Sequence, residues 1–447
     1  MSSNSPRVVS AIPDRTVPLP SRPNLELERK RAKQMLRSIV NGDADALARV
    51  REYRAGISAV DAKLADVHLT VAREYGFSSW PKLVAYFETL DRHEKAGPHF
   101  QSYRVDHYEH RARQVIRGHA AKQPAVTRGL AAFVPRFYGR TDEEIFATPI
   151  TEAEAQLVVA RMDRYLSWEA LLEYIEKAPR VESGTVEEQM KASLERRYGP
   201  PFVQAFDAIK RRDLEAIKRL IDTHPELIAT PPVNRPGTSI LRASIFHEMN
   251  EPSAESRAIS DFLVESGADL VTVLGRMLLE GIHRKPEDVA FLLDRGADPN
   301  WMPPSGVSVL EHALMKYWNP ESVDLIARRA TPPKAFWISA GLGDVKGMLE
   351  FLDRNGKPTP AARRNRPDFT LVGFNMACRP DADDLEILWE ALVVAGFNQR
   401  LNTLDALLDR GFPLDYAPWG STLRSWAEGN GVTVLAEHLA KRGARPA

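Results

Sequence analysis

The residues best suited to chemistry are few and scattered. His107 and His110 stand three apart in DHYEHRARQ, a spacing that puts both imidazoles on one helical face. With His119 or Glu109 they would offer nitrogen and oxygen donors to a divalent cation. A solvated polar face explains the same pattern more simply, so the pair stands as a weak metal candidate. His247, His283 and His312 come from separate segments and would have to be gathered by the fold. GLGDVKG (341–347) has the glycines of a phosphate loop without the G-x-G-x-x-G spacing, and the preceding AFWISA reads as a helix where a strand is needed. The single cysteine, Cys378, excludes an intrachain disulfide and a cysteine zinc cluster, and it reads as a buried, inert thiol. Neither a catalytic residue nor a cofactor is expected.

Bulk composition narrows the partners. Lys+Arg and Asp+Glu both total 60 in 447 residues, so no overall field draws the chain to nucleic acid or to an acidic membrane. Arg363, Arg364 and Arg366 form the densest basic cluster, expected to be solvated loop charge. Residues 1–24 are rich in Ser, Pro and Arg without an apolar core, which reads as a flexible tail and not a secretory signal. No apolar run is long enough to span a bilayer. The expected localisation is cytoplasmic.

The elements that would position such residues show an internal duplication. AREYGFSSWPKLVAYFE (72–88) returns as ARMDRYLSWEALLEYIE (160–176) at an offset of 88, pairing Trp80 with Trp168 and Ser79 with Ser167. Upstream, RAKQMLR (31–37) returns as RARQVIR (111–117) at an offset of 80. Gly76 becomes Arg164 and Pro81 becomes Glu169, while the aromatic-x-Ser-Trp core stays. Side chains kept where their backbone neighbours change are packing anchors more simply than catalysts. Ser79 and Ser167 precede a helix, where a hydroxyl caps free amides.

Beyond residue 202 the pattern shifts to short helices at regular spacing. DVAFLLDRGADPN (288–300), TLDALLDRGFPLD (403–415) and AISDFLVESGADL (258–270) each place apolar residues three and four apart. Each ends at a glycine suited to a left-handed cap, namely Gly296, Gly411 or Gly267. Here the chain resembles the ankyrin repeat family, with LLDRGADPN the most specific mark. The family's T-P-L-H-x-A-A signature survives only in outline, in SVLEHAL, TSILRAS and STLRSWA, where Glu311, Leu241 and Arg424 replace its histidine. AFDAIKRRDLEAIKRLIDTHPELIAT (205–230) looks like a first repeat, and its THPEL ending resembles a variant common in bacterial ankyrin proteins. The resemblance implies an all-α protein, an ankyrin-repeat solenoid preceded by a duplicated helical module. The expected division is a tail (1–24), module copies (25–95 and 96–180), a linker (181–201) and an array of about six repeats (202–447). The array is expected to be degenerate around 357–386.

What the resemblance implies for function is protein recognition across a concave face and finger loops, without catalysis. Large apolar residues at finger tips then become informative. DPNWMPPSG offers Trp301 and Met302, and LDYAPWGST offers Tyr416 and Trp419. Helix ends add Phe246 with His247, Tyr317 with Trp318, Trp337, and Phe397 with Asn398. A continuous aromatic strip from these would form a groove for a partner's helix or extended segment. The partner is a protein of unspecified identity. The alternative is an enzyme or small-molecule-binding protein with a His/Glu acid–base pocket in the groove or in the N-terminal modules.

Overall fold

The computed structural model describes residues 17–20, 23–99, 102, 104–177, 194–195, 198–229, 238–281, 285–316, 319–372 and 377–445. The protein is all-α, and among the described residues the one β feature is a single bridge between Leu352 and Pro358. No helix among them is long and apolar enough to cross a membrane. The chain forms two compact units.

The first unit contains both module copies. Copy 1 comprises α1 (Leu25–Val40), α2 (Ala44–Arg51), α3 (Leu64–Glu74) and α4 (Trp80–Ala96). Copy 2 comprises α5 (Val105–Ala120), α6 (Pro124–Phe133), the short α7 (Asp142–Phe146), α8 (Glu152–Met162) and α9 (Trp168–Lys177). The offsets seen in the sequence reappear in the helix starts, with α5 and α6 80 residues after α1 and α2, and α8 and α9 88 after α3 and α4. They reappear in the backbone too. Gly42 (φ 90°) corresponds to Lys122 (φ 53°), and Gly76 (φ 90°) to Arg164 (φ 63°). The second copy therefore holds ordinary residues in left-handed turns that glycine occupies without steric cost.

Packing explains the aromatic-Ser-Trp passages. Phe77 is fully buried against Tyr86 and Tyr138, with ring centroids 5.0 and 5.6 Å away. Trp80 is half-buried and stacks flat on His68 at 4.0 Å. Tyr165 and the half-buried Trp168 pack on the equivalent core of copy 2, around Tyr108, Val159 and Leu171. Both serines stand at helix entries, but only Ser167 caps, accepting from the Ala170 amide at 3.2 Å. Ser79 makes no cap bond. Pro81 lies in the first turn of α4 and has no amide hydrogen to cap.

The second unit is a run of helical hairpins. They are α10 (Pro200–Lys210) with α11 (Leu214–Thr223), α12 (Ile240–Asn250) with α13 (Ala254–Glu265), and α14 (Leu270–Gly281) with α15 (Pro286–Asp294). Then come α16 (Val309–Met315) with α17 (Pro320–Ala327), α18 (Phe336–Leu342) with α19 (Val345–Leu349), and α20 (Asp384–Phe397) with α21 (Leu401–Leu408). The last is α22 (Leu423–Gly429) with α23 (Thr433–Lys441). From α10 to α20 each first helix packs on the next first helix, and second helices do the same at α11–α13, α15–α17 and α19–α21. Apolar stripes account for this, since Val289, Leu292 and Leu293 on α15 are all buried. The 341–347 stretch is the tight turn between α18 and α19, where Asp344 accepts from the Gly347 amide at 2.9 Å.

An ion ladder repeats with the hairpins. Arg295 reaches Asp261, 34 residues earlier, at 2.6 Å, and Arg329 reaches Asp294, 35 residues earlier, at 2.8 Å. Arg442 likewise meets Asp409, 33 residues earlier. Arg366, expected in a solvated cluster, is instead drawn to the buried Glu390, with Nε 3.0 Å from Oε2. A buried carboxylate needs a charged partner, and the guanidinium fork supplies it.

Two stretches of the expected 202–447 array group with the first unit, namely Asp368–Asp383 and Tyr416–Thr422. The reason is their side chains. Phe369 is buried, Arg379 pairs with Asp142 at 3.0 Å, Lys82 pairs with Asp381, and Trp419 meets Phe369 edge-on at 5.8 Å.

Candidate binding site

In the second unit, Trp301 lies over α14, so close that a Cβ on Gly275 would stand 2.2 Å from its ring. Glycine is required there. Met302 beside it is 54% exposed, and Val271, one turn before Gly275 on the same helix face, is 64% exposed. Phe246 and His247 are half-buried at the end of α12. Trp337 and Phe397 are buried, the first donating Nε1–H to the Asn365 carbonyl at 2.8 Å. Asn398, also buried, donates Nδ2–H to the Leu314 carbonyl at 2.9 Å. These three are core groups and contribute to no surface strip. Tyr317, Trp318 and His283 lie outside the described residues.

Tyr416 and Trp419 belong to the first unit and are half-buried. The Arg128 guanidinium sits 5.5 Å over the Trp419 ring, and its Nε donates to the Pro418 carbonyl. Trp419 is thus engaged within the chain.

The same unit carries a buried polar chain. Thr370 donates its hydroxyl hydrogen to Asp368 Oδ1, while its oxygen lies 3.0 Å from His93 Nε2. That hydrogen being committed, the imidazole must donate, which fixes the Nε2–H tautomer. His93 is 1% exposed, and burial lowers its pKa to about 4. Asp368 works against that shift, whereas Arg164, Arg161 and Arg92 add to it.

His107 and His110 stand on the exposed face of α5, where His110 Nε2 lies 3.0 Å from the Gln114 amide nitrogen. His119 turns away to the Ile145 carbonyl at 2.9 Å. No group of three or more His, Cys, Asp or Glu side chains suited to a metal occurs among the described residues. Cys378 is half-buried, more open than its sequence context suggests.

Sequence reasoning missed a cleft of about 590 Å³ between α5, α6 and α8. Its apolar walls include Val115, Val126, Val158 and Met162, and its rim carries Arg111, Gln114, Arg117 and Gln123. The corresponding row on α1, Arg31, Gln34 and Arg37, lines a smaller hollow of about 380 Å³. Arg31 and Arg111 are anchored alike. Arg31 donates to the Tyr75 hydroxyl at 3.0 Å, and Arg111 pairs with Asp163, which occupies the matching position in copy 2. Burial beside Glu28 pushes the Tyr75 phenol up to about 12. Burial also raises Asp163 despite its arginine.

Among the lining positions that differ between the copies, two form an ion pair in copy 1. In copy 1 Arg49 Nε and Nη2 are each 2.8 Å from the Glu74 carboxylate. In copy 2 these positions are Gly129 and Met162. The ion pair is gone at both ends, and both replacements line the cleft. Comparing the copies position by position at offsets of 80 and 88 is the signal that could have found it.

No known protein family matches the chain, and the search of curated proteins gives no match.

Proposed function

We propose that the chain is an ankyrin-type recognition protein, in which stacked hairpins present a surface to another protein without catalysis or a cofactor. The observation that carries this reading is the patch formed by Val271, Trp301 and Met302. Two large aliphatic side chains stand in solvent around an indole immobilised on a helix backbone. Rigid aromatic anchors ringed by apolar groups dominate protein-binding hot spots because they bury area at little entropic cost. The LLDRGADPN ending at 292–300 and the hairpin order support this reading.

The test is affinity capture with the whole chain beside Val271→Asp/Met302→Asp. Both side chains are exposed, so the double variant keeps the melting temperature of wild type. One protein retained by wild type and lost from the variant is the expected result. Equal capture by both removes this patch from the recognition surface.

A further inference from the structure

We infer that the cleft between α5, α6 and α8 binds an amphiphilic anion, a small molecule with one anionic head and an apolar body. The inference is independent of the protein-recognition reading, because it rests on a different surface in the other unit.

Three observations converge. The cleft, about 590 Å³, falls within the range of small-molecule sites, roughly 300–1,000 Å³. Its lining is divided, with Val126, Val158 and Met162 forming an apolar wall and Gln114, Arg117 and Gln123 supplying side-chain donors at the rim. Arg111 is already neutralised by Asp163, whereas Arg117 is exposed and makes no ion pair among the described residues. Its guanidinium is the group available to a carboxylate, sulfonate or phosphate head.

The third observation is the comparison inside the chain. Both copies keep arginine, glutamine and arginine along the first helix, yet only copy 1 has the Arg49–Glu74 ion pair, whose positions in copy 2 line the cleft. Copy 1 places the Arg49–Glu74 ion pair there, with Glu74 also 3.7 Å from Arg31. Copy 2 replaces both, with the smallest residue and with a flexible apolar one. Gly129 also lets α6 approach α8, since a Cβ there would meet Val158 Cγ1 at 2.7 Å. The result is an apolar floor under a cationic rim.

The experiment titrates the full chain with 1-anilinonaphthalene-8-sulfonate and follows its fluorescence. Saturable binding at one site is expected, about tenfold weaker in Arg117→Gln, whose site lies on an exposed helix face. Met162→Glu places a carboxylate in the apolar wall and is expected to abolish binding with native helicity retained. Should that variant fail to fold, Arg117→Gln decides. Val271→Asp/Met302→Asp separates this site from the exposed patch and should leave binding unchanged. Octanoate and 1-naphthoate are then added as competitors, and displacement by one or the other assigns an aliphatic or aromatic body. Displacement by uncharged 1-octanol as strong as by octanoate overturns the anionic head. Absence of saturable binding, or binding unchanged in Arg117→Gln, overturns the site.

Discussion

His93 shows what a single titratable residue does when the fold seals it. Its folded pKa of about 4 lies below the ordinary imidazole value of 6.5, so the native state binds fewer protons than the unfolded chain between those values. The stability it contributes is complete above pH 6.5, declines as pH falls toward 4, and is gone below that. The loss is of order a few kcal/mol. Chemical denaturation across this window should show the decline in wild type and a shallower slope in His93→Gln, whose side chain still donates to Thr370. Equal slopes would mean that other groups carry the acid sensitivity. None of this was legible beforehand, because most of the neighbours that tune His93, namely Asp368, Arg164 and Arg161, are distant in sequence.

Individual helices were far more legible, because capping and stripe signals are local. Asn24 and Asp43 open α1 and α2 with side-chain bonds to the first-turn amides, as their residue types imply. Glycines after α13, α15 and α21 take the left-handed conformation, Gly296 at φ 103° and Gly411 at φ 85°. Which face of a helix meets solvent was legible only where the stripe was narrow. Helix α20 is buried on nearly all sides, from Trp389 through Phe397, so its sequence marks no outward face and Phe397 passed for a surface group. The duplicated turns offer a direct test at this level. Lys122 is exposed at φ 53°, so Lys122→Gly should raise stability by about 0.5–1 kcal/mol in urea unfolding. Gly42→Lys, which makes the converse exchange, should lower it by about 1 kcal/mol. If both variants destabilise, the two turns are not equivalent.

At the scale of the molecule, the first unit is assembled from three separated parts of the chain. Trp419 illustrates why the sequence concealed this. A tryptophan between Pro418 and Gly420 reads equally well as a finger tip or a plug, and only Arg128 and Phe369, far away in sequence, decide. Phe369→Ala/Trp419→Ala in the full chain should speed amide hydrogen exchange in α4 and α6 and leave α10 to α15 protected. Unchanged exchange in α4 and α6 would mean that the returning segments cover those helices without supporting them.

That three-part construction also sets an order of events during synthesis. The helices up to Glu176 leave the ribosome first, and roughly 190 residues must follow before Phe369 is available to cover their apolar surface. At ordinary elongation rates that interval is about 10–40 s. Throughout it, the side chains that Phe369 and Trp419 eventually cover face the solvent of a crowded cell, and a holding chaperone would find its substrate there.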